Sequence, residues 1–350
     1  MPARIDYTAY PFHIHRADLR FDLKPECTTV TSQLTFERKT NAPAAMRLDG
    51  EHIELLSIRL DDAPLNTSDY SVDDKAVTIH QTPARGVLTV VTSCVPKTNT
   101  SLCGLFTTGA HMMTQCEPEG FRLMTYFPDR PDVLSVFTVQ LVADKTDFPV
   151  LLSNGNLTAK KDLEANQHTT TWHDPFPKPS YLFALVAGQL ACLEETIEQD
   201  GLIKLLQVYV EPHDLPKAQF AMDSLKASIR WDKQRYGLPL DLERFMIVAT
   251  SDFNMGAMEN KGLNIFNTKF VLAHPETATD LDFENVEAVV GHEYFHNWTG
   301  NRVTCQDWFQ LSLKEGLTVY RDQEFSSDQL TAGLTDQAAA SARAVKRIDD

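Results

Sequence analysis

His292-Glu293-Tyr294-Phe295-His296 places two imidazoles four residues apart, with a carboxylate beside the first. In an α-helix, positions four apart lie about 40° apart around the axis, so both rings can reach one metal ion from one face. Zinc takes neutral imidazole nitrogens as ligands, and a catalytic zinc site keeps one position open for water. The stretch therefore predicts a zinc-binding helix in which Glu293 takes a proton from that water.

A zinc site needs a third protein ligand, and Glu315 is the candidate. It follows His296 after eighteen intervening residues, and the apolar residues around it recur at helical spacing. Glu315 is therefore predicted to lie on a second helix. The predicted ligands of one Zn²⁺ per chain are His292, His296 and Glu315.

Two simpler interpretations of the histidines remain open at this point. The pattern can arise by chance on a solvated helix face, and either ring alone can be a buried histidine of the core. Val286, Val289 and Val290 form an apolar stripe that both histidines continue. The rings are therefore predicted to point inward, which favours the metal site.

The composition is that of a globular protein. The chain has 350 residues, 43% of them hydrophobic and 23% charged, which allows two domains with real cores. It has no run of eighteen apolar residues, and residues 1–6 lack the pattern of a secretory signal. We expect a cytoplasmic protein that binds no membrane.

Charge and cysteine usage exclude further classes of function. A formal net charge of −16 argues against a nucleic-acid partner, because the phosphates would be repelled. The six cysteines include no CxxC pair, so they suggest neither a disulfide framework nor a structural zinc ribbon.

The first half of the chain is predicted to be β structure. Runs rich in β-branched residues alternate with Gly, Asp and Pro signals, as expected for short antiparallel strands. They lie at residues 29–37, 53–60, 87–95, 133–142 and 169–172. A β saddle or sandwich at residues 1–188 is the economical interpretation, followed by an α/β domain at 189–350. In that domain we expect a strand at 203–210 and amphipathic helices from Asp214 and from Asp280–Asp282.

A second constellation lies upstream of the metal helix, in Asn254-Met255-Gly256-Ala257-Met258-Glu259-Asn260. It is a glycine-bearing turn that leads into the strand-like residues 263–266, and a plain loop is the simplest interpretation. Glycine also lets backbone approach a ligand closely. Glu259 could then present a carboxylate beside the zinc.

Together, these motifs resemble the gluzincin aminopeptidases. The resemblance rests on Gly256-Ala257-Met258-Glu259-Asn260, on the HExxH motif with its glutamate after eighteen intervening residues, and on residues 113–117 and 174–179. It covers essentially the whole chain. It implies a β-saddle domain followed by a thermolysin-like catalytic domain, and a substrate peptide held by its free amino terminus.

The resemblance also implies roles for individual residues. His292, His296 and Glu315 would bind zinc, and Glu293 would be the general base for a zinc-activated water. Glu259 would hold the substrate amine with help from Glu117. Gln115 and Met255 would line the first side-chain pocket, while backbone groups of Gly256, Ala257 and Met258 would bond to the peptide.

The sequence departs from the family at the residue that stabilises the oxyanion. The family uses a tyrosine well downstream of the third ligand to stabilise the oxyanion, and neither Tyr294 nor Tyr320 matches it. We therefore expect the catalytic domain to be incomplete at its C-terminal end. A catalytically silent fragment that binds zinc and peptide amino termini is the alternative function, and a thermolysin-type endopeptidase is a third.

Overall fold

The computed structural model describes residues 7–332 and Ala338. The chain divides into two compact units. The first comprises residues up to Leu190, with Asn260–Leu263 and Thr304–Gln310; the second comprises Ala191–Glu259, Asn264–Val303 and the chain from Leu311. The rest of the predicted second domain, beyond residue 332, lies outside the described residues apart from Ala338.

The first unit is built from β-strands. They are β1 (Phe12–Asp22), β2 (Thr28–Arg38), β3 (Met46–Asp49), β4 (Glu54–Leu60), β5 (Ala63–Pro64), β6 (Tyr70–Asp73), β7 (Ala76–Ile79), β8 (Arg85–Cys94), β9 (Gly104–Thr108), β10 (His111–Gln115), β11 (Ser135–Asp144), β12 (Val150–Ser153), β13 (Asn156–Asp162), β14 (Gln167–Lys178) and β15 (Leu185–Gly188). The predicted β domain is confirmed.

The largest sheet of this unit has the strand order β13-β14-β11-β1-β2-β8-β4-β5, and a smaller one has the order β12-β15-β10-β9. Alternate residues of β2, among them Val30, Leu34 and Phe36, are buried, as a strand with one face on the core requires. The expectation of antiparallel strands alone is wrong at one place, because β1 and β11 pair in parallel. Long-range pairing of this kind leaves no local sequence signal.

Phenylalanines fill the core of the first unit. Phe121 packs against Phe127 and Phe183 with ring centroids 5.0 and 5.1 Å apart, both edge to face. Such pairs stabilise a core beyond the area that they bury. They anchor the segment between β10 and β11, which follows Gln115 and contains Glu117.

The second unit combines one sheet with helices. Its elements are β16 (Ala191–Gln199), β17 (Leu202–Val210), α1 (Gln219–Tyr236), β18 (Arg244–Thr250), β19 (Ala257–Met258), β20 (Leu263–Asn267), α2 (Asp280–Phe295) and α3 (Leu311–Thr331). The sheet has the order β16-β17-β18-β20-β19. The predicted strand near residue 203, the helix start near Asp280 and the second helix around Glu315 are all present.

One predicted helix boundary is wrong. Asp214 does not cap α1; it lies in a 3-10 helix at Pro212–Lys217, and α1 begins at Gln219. Pro216 lies inside the 3-10 helix and has no N–H to donate. The α1 helix ends at Tyr236 and is capped by Gly237, whose φ of 70° is the left-handed conformation that glycine adopts readily.

Candidate active site

The helix α2 starts from a strong local signal. Thr279 and Asp282 form a capping box, in which the Asp282 carboxylate accepts the backbone N–H of Thr279 at 2.8 Å. Oγ1 of Thr279 in turn accepts the backbone N–H of Asp282 at 3.3 Å. Farther along, Val286 and Val290 are buried in the core. This packing fixes the rotation of α2 and thereby the direction of both histidines.

The predicted zinc ligands converge. Nε2 of His292 lies 3.0 Å from Nε2 of His296. Oε2 of Glu315 lies 3.5 Å from the first of these nitrogens and 3.4 Å from the second. Ligands placed tetrahedrally around zinc at its usual bond lengths lie about 3.3 to 3.6 Å apart. The two distances from Glu315 have this spacing, and the two ring nitrogens lie slightly closer together than it.

Hydrogen bonds at the other ring nitrogens orient the histidines. Nδ1 of His292 lies 2.5 Å from Oδ2 of Asp322, and Nδ1 of His296 lies 2.7 Å from the backbone oxygen of Thr299. A carbonyl or carboxylate oxygen accepts a hydrogen bond, so each Nδ1 carries the proton. When the ring is neutral, its Nε2 is then left with a lone pair that can bind a metal.

This donor set fits zinc. Two imidazole lone pairs and a carboxylate oxygen face one another within 3.5 Å, which is unfavourable unless a cation lies between them. Neutral imidazole and carboxylate are also the ligand types that zinc takes in catalytic sites. Asp322 and the carbonyl of Thr299 supply the outer hydrogen bonds that such histidines usually make.

Ionisation in the site follows from these contacts. Burial acts to lower the pKa of His292, but hydrogen bonds to Asp322 and Glu315 outweigh burial and raise the pKa to about 10. Burial acts to raise the pKa of Glu315, but hydrogen bonds from both histidines hold it well below the usual range. Without metal, the site therefore binds protons where the ion would bind.

Glu293 does not join the ligand set, and it is buried. Burial raises the pKa of its carboxyl group, and the charges of Glu259 and Glu315 add to that rise. Within the described residues, Oε2 of Glu293 has no hydrogen-bond partner. A buried carboxylate oxygen without a partner is costly, so this oxygen suits a water molecule or a proton.

A buried ion pair fixes α3 against its neighbours. The guanidinium of Arg321 contacts the carboxylate of Asp232 on α1, and both side chains are buried. Nη1 of Arg321 also donates to the backbone oxygen of Phe295 and to Oγ1 of Thr299, each at 3.0 Å. These bonds tie α3 to the end of α2, where the histidines lie.

Residues 255–259 bring another carboxylate to the histidines. Ala257 and Met258 form β19, and the backbone oxygen of Gly256 accepts the N–H of Asn267 at 2.9 Å. Met255 is partly exposed. The strand leads to Glu259, which is buried with Oε1 4.0 Å from Nδ1 of His296.

The charge of Glu259 is stabilised in this position. Burial acts to raise the pKa of its carboxyl group, but the charges of His296 and Lys314 lower it. The backbone oxygen of Glu259 accepts a hydrogen bond from Asn301 at 2.8 Å. The side chain is therefore an ionised, fixed carboxylate beside the candidate metal centre.

Gln115 and Glu117 belong to the first unit. Gln115 ends β10 and is buried, with Nε2 donating to the backbone oxygen of Glu117 at 3.1 Å. Their predicted part in substrate binding stays a prediction.

Sequence reasoning missed two residues of this site, Asp322 and Lys314. Asp322 lies seven residues beyond Glu315, two helical turns farther along α3 on the same face. That spacing was the available signal for Asp322. Lys314 is buried beside Glu315, which no local pattern indicates.

Comparison with known proteins places this arrangement in a family. The Peptidase M1 N-terminal domain matches residues 12–182, and the Peptidase family M1 domain matches residues 220–347. The two descriptions concern one family and together account for most of the chain. The chain belongs to peptidase family M1.

Bacterial aminopeptidase N proteins are close relatives. The chain is 52% identical over 330 residues to aminopeptidase N of Caulobacter vibrioides, covering 94% of this chain and 38% of that protein. It is 52% identical over 326 residues to aminopeptidase N of Escherichia coli, covering 93% of this chain and 37% of that protein. The chain thus spans somewhat more than a third of the length of these relatives.

A solved structure has the same fold. Aminopeptidase A of Legionella pneumophila, in complex with aspartic acid, superposes with a TM-score of 0.88 at 37% identity. The match covers 93% of this chain and 39% of that one. Among the residues that the structure describes, none of the helices combines the length and apolar character that a membrane crossing requires.

Proposed function

We propose that this chain carries the metal centre of a zinc aminopeptidase, which removes the first residue from peptides with a free amino terminus. The observation that carries the proposal is the convergence of His292, His296 and Glu315, with Glu259 beside them. Membership of family M1 and the similarity to aminopeptidase N proteins support it.

Zinc would be held by His292, His296 and Glu315, and it would supply a Lewis acid for the peptide carbonyl and for a water molecule. Glu293 acts as the general base. It accepts a proton from the attacking water and returns it to the leaving nitrogen of the peptide. The rise of its pKa on burial suits a group that must bind and release a proton near neutral pH.

Glu259 binds the α-ammonium of the peptide. An α-ammonium makes strong, charge-assisted hydrogen bonds to a buried carboxylate. The α-ammonium and the first peptide bond flank the same residue, the first of the peptide. When the ammonium is held beside the metal centre, only that bond lies at the metal centre for cleavage. Glu117 would share the ammonium in this proposal.

The remaining predicted residues would hold the first residue of the peptide. Gln115 and Met255 would line the pocket for its side chain. Backbone groups of Gly256, Ala257 and Met258 would bond to the peptide, as an extended strand can.

Hydrolysis of alanine p-nitroanilide, compared with the N-acetylated compound, tests the proposal. We expect hydrolysis of the free-amine compound alone, lost with a chelator and restored with zinc. Cleavage of the acetylated compound favours an endopeptidase. Bound zinc without turnover favours a silent, amine-binding role for this 350-residue chain, and a chain that binds no zinc contradicts both.

A further inference from the structure

Glu259 follows a short strand at the edge of the second sheet. That strand, β19, pairs with β20 through two residues, Ala257 and Met258. An edge strand has a neighbour on one side, and a ladder of two residues fixes little of the chain that follows it. The pairing ends at Met258, so the main chain at Glu259 depends on other bonds for its position.

The side chain of Asn301 supplies such a bond. Its Nδ2 donates to the backbone oxygen of Glu259 at 2.8 Å, although the two residues lie 42 positions apart. Both side chains are buried. Among the described residues, the side-chain amide of Asn301 makes this hydrogen bond and no other. Loss of the donor would leave a buried carbonyl without its partner, which is costly.

The turn that carries Asn301 is itself fixed to the metal helix. The backbone N–H of Asn301 donates to the oxygen of His296 at 2.9 Å, and the oxygen of Thr299 accepts Nδ1 of His296 at 2.7 Å. Gly300 permits this close approach, because its φ is 142° and a Cβ there would lie 2.7 Å from Nδ1 of His296. One turn therefore holds both a predicted zinc ligand and the main chain of Glu259.

The distance from Glu259 to the metal centre selects among amines, and this inference rests on the proposed function. One carbon atom separates the amine nitrogen from the carbonyl carbon in an α-amino acid, and two separate them in a β-amino acid. The extra carbon lengthens this part of the substrate by about 1.5 Å. Misplacing a reacting bond by about 1 Å can cost about a hundredfold in rate.

We propose that Asn301 is a positioning residue, which holds Glu259 at the distance from the metal centre that fits α-amino acids and excludes β-amino acids. It acts through the backbone of Glu259 and does not touch the substrate. Without the amide donor, the main chain at Glu259 can shift, and its carboxylate then accepts the longer amines as well.

Two isomeric substrates, alanine p-nitroanilide and β-alanine p-nitroanilide, test the proposal. We expect the zinc-loaded, unmodified chain to prefer the alanine compound in kcat/KM by about a hundredfold or more. In Asn301→Ala this preference is expected to fall at least about tenfold, because the anchor is no longer held at one distance. An unmodified chain without the preference, or a variant that keeps it in full, contradicts the proposal.

The zinc content of Asn301→Ala separates this role from support of the metal centre. Nδ1 of His296 bonds to the oxygen of Thr299, a bond that the substitution leaves in place. We therefore expect the variant to bind as much zinc as the unmodified chain. Loss of zinc would show that Asn301 supports the ligands and would overturn its role in spacing the amine.

Ser135→Ala is the matched control for loss of stability. Oγ of Ser135 also donates to a distant backbone oxygen, that of Ile14 at 2.7 Å, and Ser135 is buried in the first unit. Both variants should melt at a lower temperature than the unmodified chain, because each leaves a buried carbonyl without its donor. Ser135→Ala is expected to keep the full preference for the alanine compound. An equal fall in both variants contradicts the proposal.

A second variant covers the case in which Asn301→Ala fails to fold. Asn301→Leu retains the branched shape of the side chain and lacks the donor. We expect it to lose the preference for the alanine compound to the same extent. A preference equal to that of the unmodified chain contradicts the proposal.

Binding of alaninamide and β-alaninamide to the zinc-loaded chain, measured by calorimetry, needs no turnover. The ratio of their affinities is expected to fall at least about tenfold in Asn301→Ala. An unmodified chain that hydrolyses neither anilide overturns the proposed function, while the affinity ratio still decides the role of Asn301. Zinc-dependent hydrolysis with an unchanged preference overturns the role of Asn301 alone, and a chain that binds neither amide contradicts both.

Discussion

Nδ1 of His292 lies 2.5 Å from Oδ2 of Asp322, which stands two helical turns beyond Glu315 on α3. One helix thus supplies both a predicted metal ligand and the carboxylate that orients another ligand. The helix α3 is therefore part of the site. A change in the position of this helix would alter the site.

Replacement of Asp322 by Asn is expected to lower zinc affinity about tenfold to a hundredfold, because the outer carboxylate no longer holds the proton on Nδ1 of His292. Competition with a chelating dye measures the affinity. Asp328→Asn is the matched control, since Asp328 also lies on α3 but bonds to Trp231 and Arg235. Equal affinities of the two variants would show that Asp322 does not orient the ligand.

Replacement of Glu293 by Gln is expected to leave zinc binding intact and to lower kcat about a hundredfold to ten-thousandfold, because the general base is lost. Metal analysis and anilide hydrolysis on the same sample measure both quantities. Glu284→Gln, at an exposed position of α2, is the control and should retain activity. Loss of zinc from Glu293→Gln would assign that residue to the ligands instead.

Zinc affinity is expected to rise with pH. The pKa of His292 in the metal-free protein is about 10, so this ring is protonated at neutral pH and must lose its proton when zinc binds. Affinity should then increase about tenfold per pH unit between roughly pH 7 and pH 10. Calorimetry in buffers of different ionisation enthalpy counts the protons released, and a count of zero at pH 7.5 would contradict the assignment.

The same pKa shift predicts the pH dependence of metal-free stability. A histidine whose folded pKa is raised stabilises the fold fully below its unfolded pKa, near 6.5. That stabilisation is lost as the pH rises through about 10. Urea unfolding of the metal-free chain at pH 6 and pH 10 measures it, with His292→Gln as the comparison. If both proteins change equally, His292 makes no such contribution.

Replacement of Arg321 by Met is expected to destabilise the chain by about 3 to 5 kcal/mol, because it leaves the carboxylate of Asp232 buried without its cation. Burial raises the pKa of Asp232 to about 6 even with the arginine present. Lys233→Met, which removes a largely exposed pair with Asp200, should cost about 1 kcal/mol or less. Urea unfolding of both variants measures the difference; similar losses would contradict the role given to burial.

Local patterns in the sequence were enough to predict some of this structure. The apolar stripe of Val286 and Val290 and the acidic start of α2 predicted the metal helix, because helix periodicity and capping are local properties. The strands of the first unit were predicted for the same reason. The helix around Glu315 was predicted because the apolar residues beside it recur at helical spacing.

The rest depends on contacts between residues far apart in sequence. The parallel pairing of β1 with β11, the burial of Lys314 and the bond from Asp322 to His292 form only when the chain is folded. The sequence around a single aspartate or lysine does not indicate which distant residue it will contact. The predicted cap at Asp214 was wrong because an aspartate followed by a proline also occurs in a 3-10 helix. Here both residues lie in the 3-10 helix that precedes α1.

The zinc content of purified protein tests the central claim most directly. Elemental analysis of the unmodified chain, after incubation with zinc and removal of excess ion, is expected to give one zinc per chain. His296→Gln and Glu315→Gln should give far less, while His274→Gln, outside the site, should give one. A zinc-free unmodified chain, or full occupancy after loss of His296 and Glu315 together, would contradict the account.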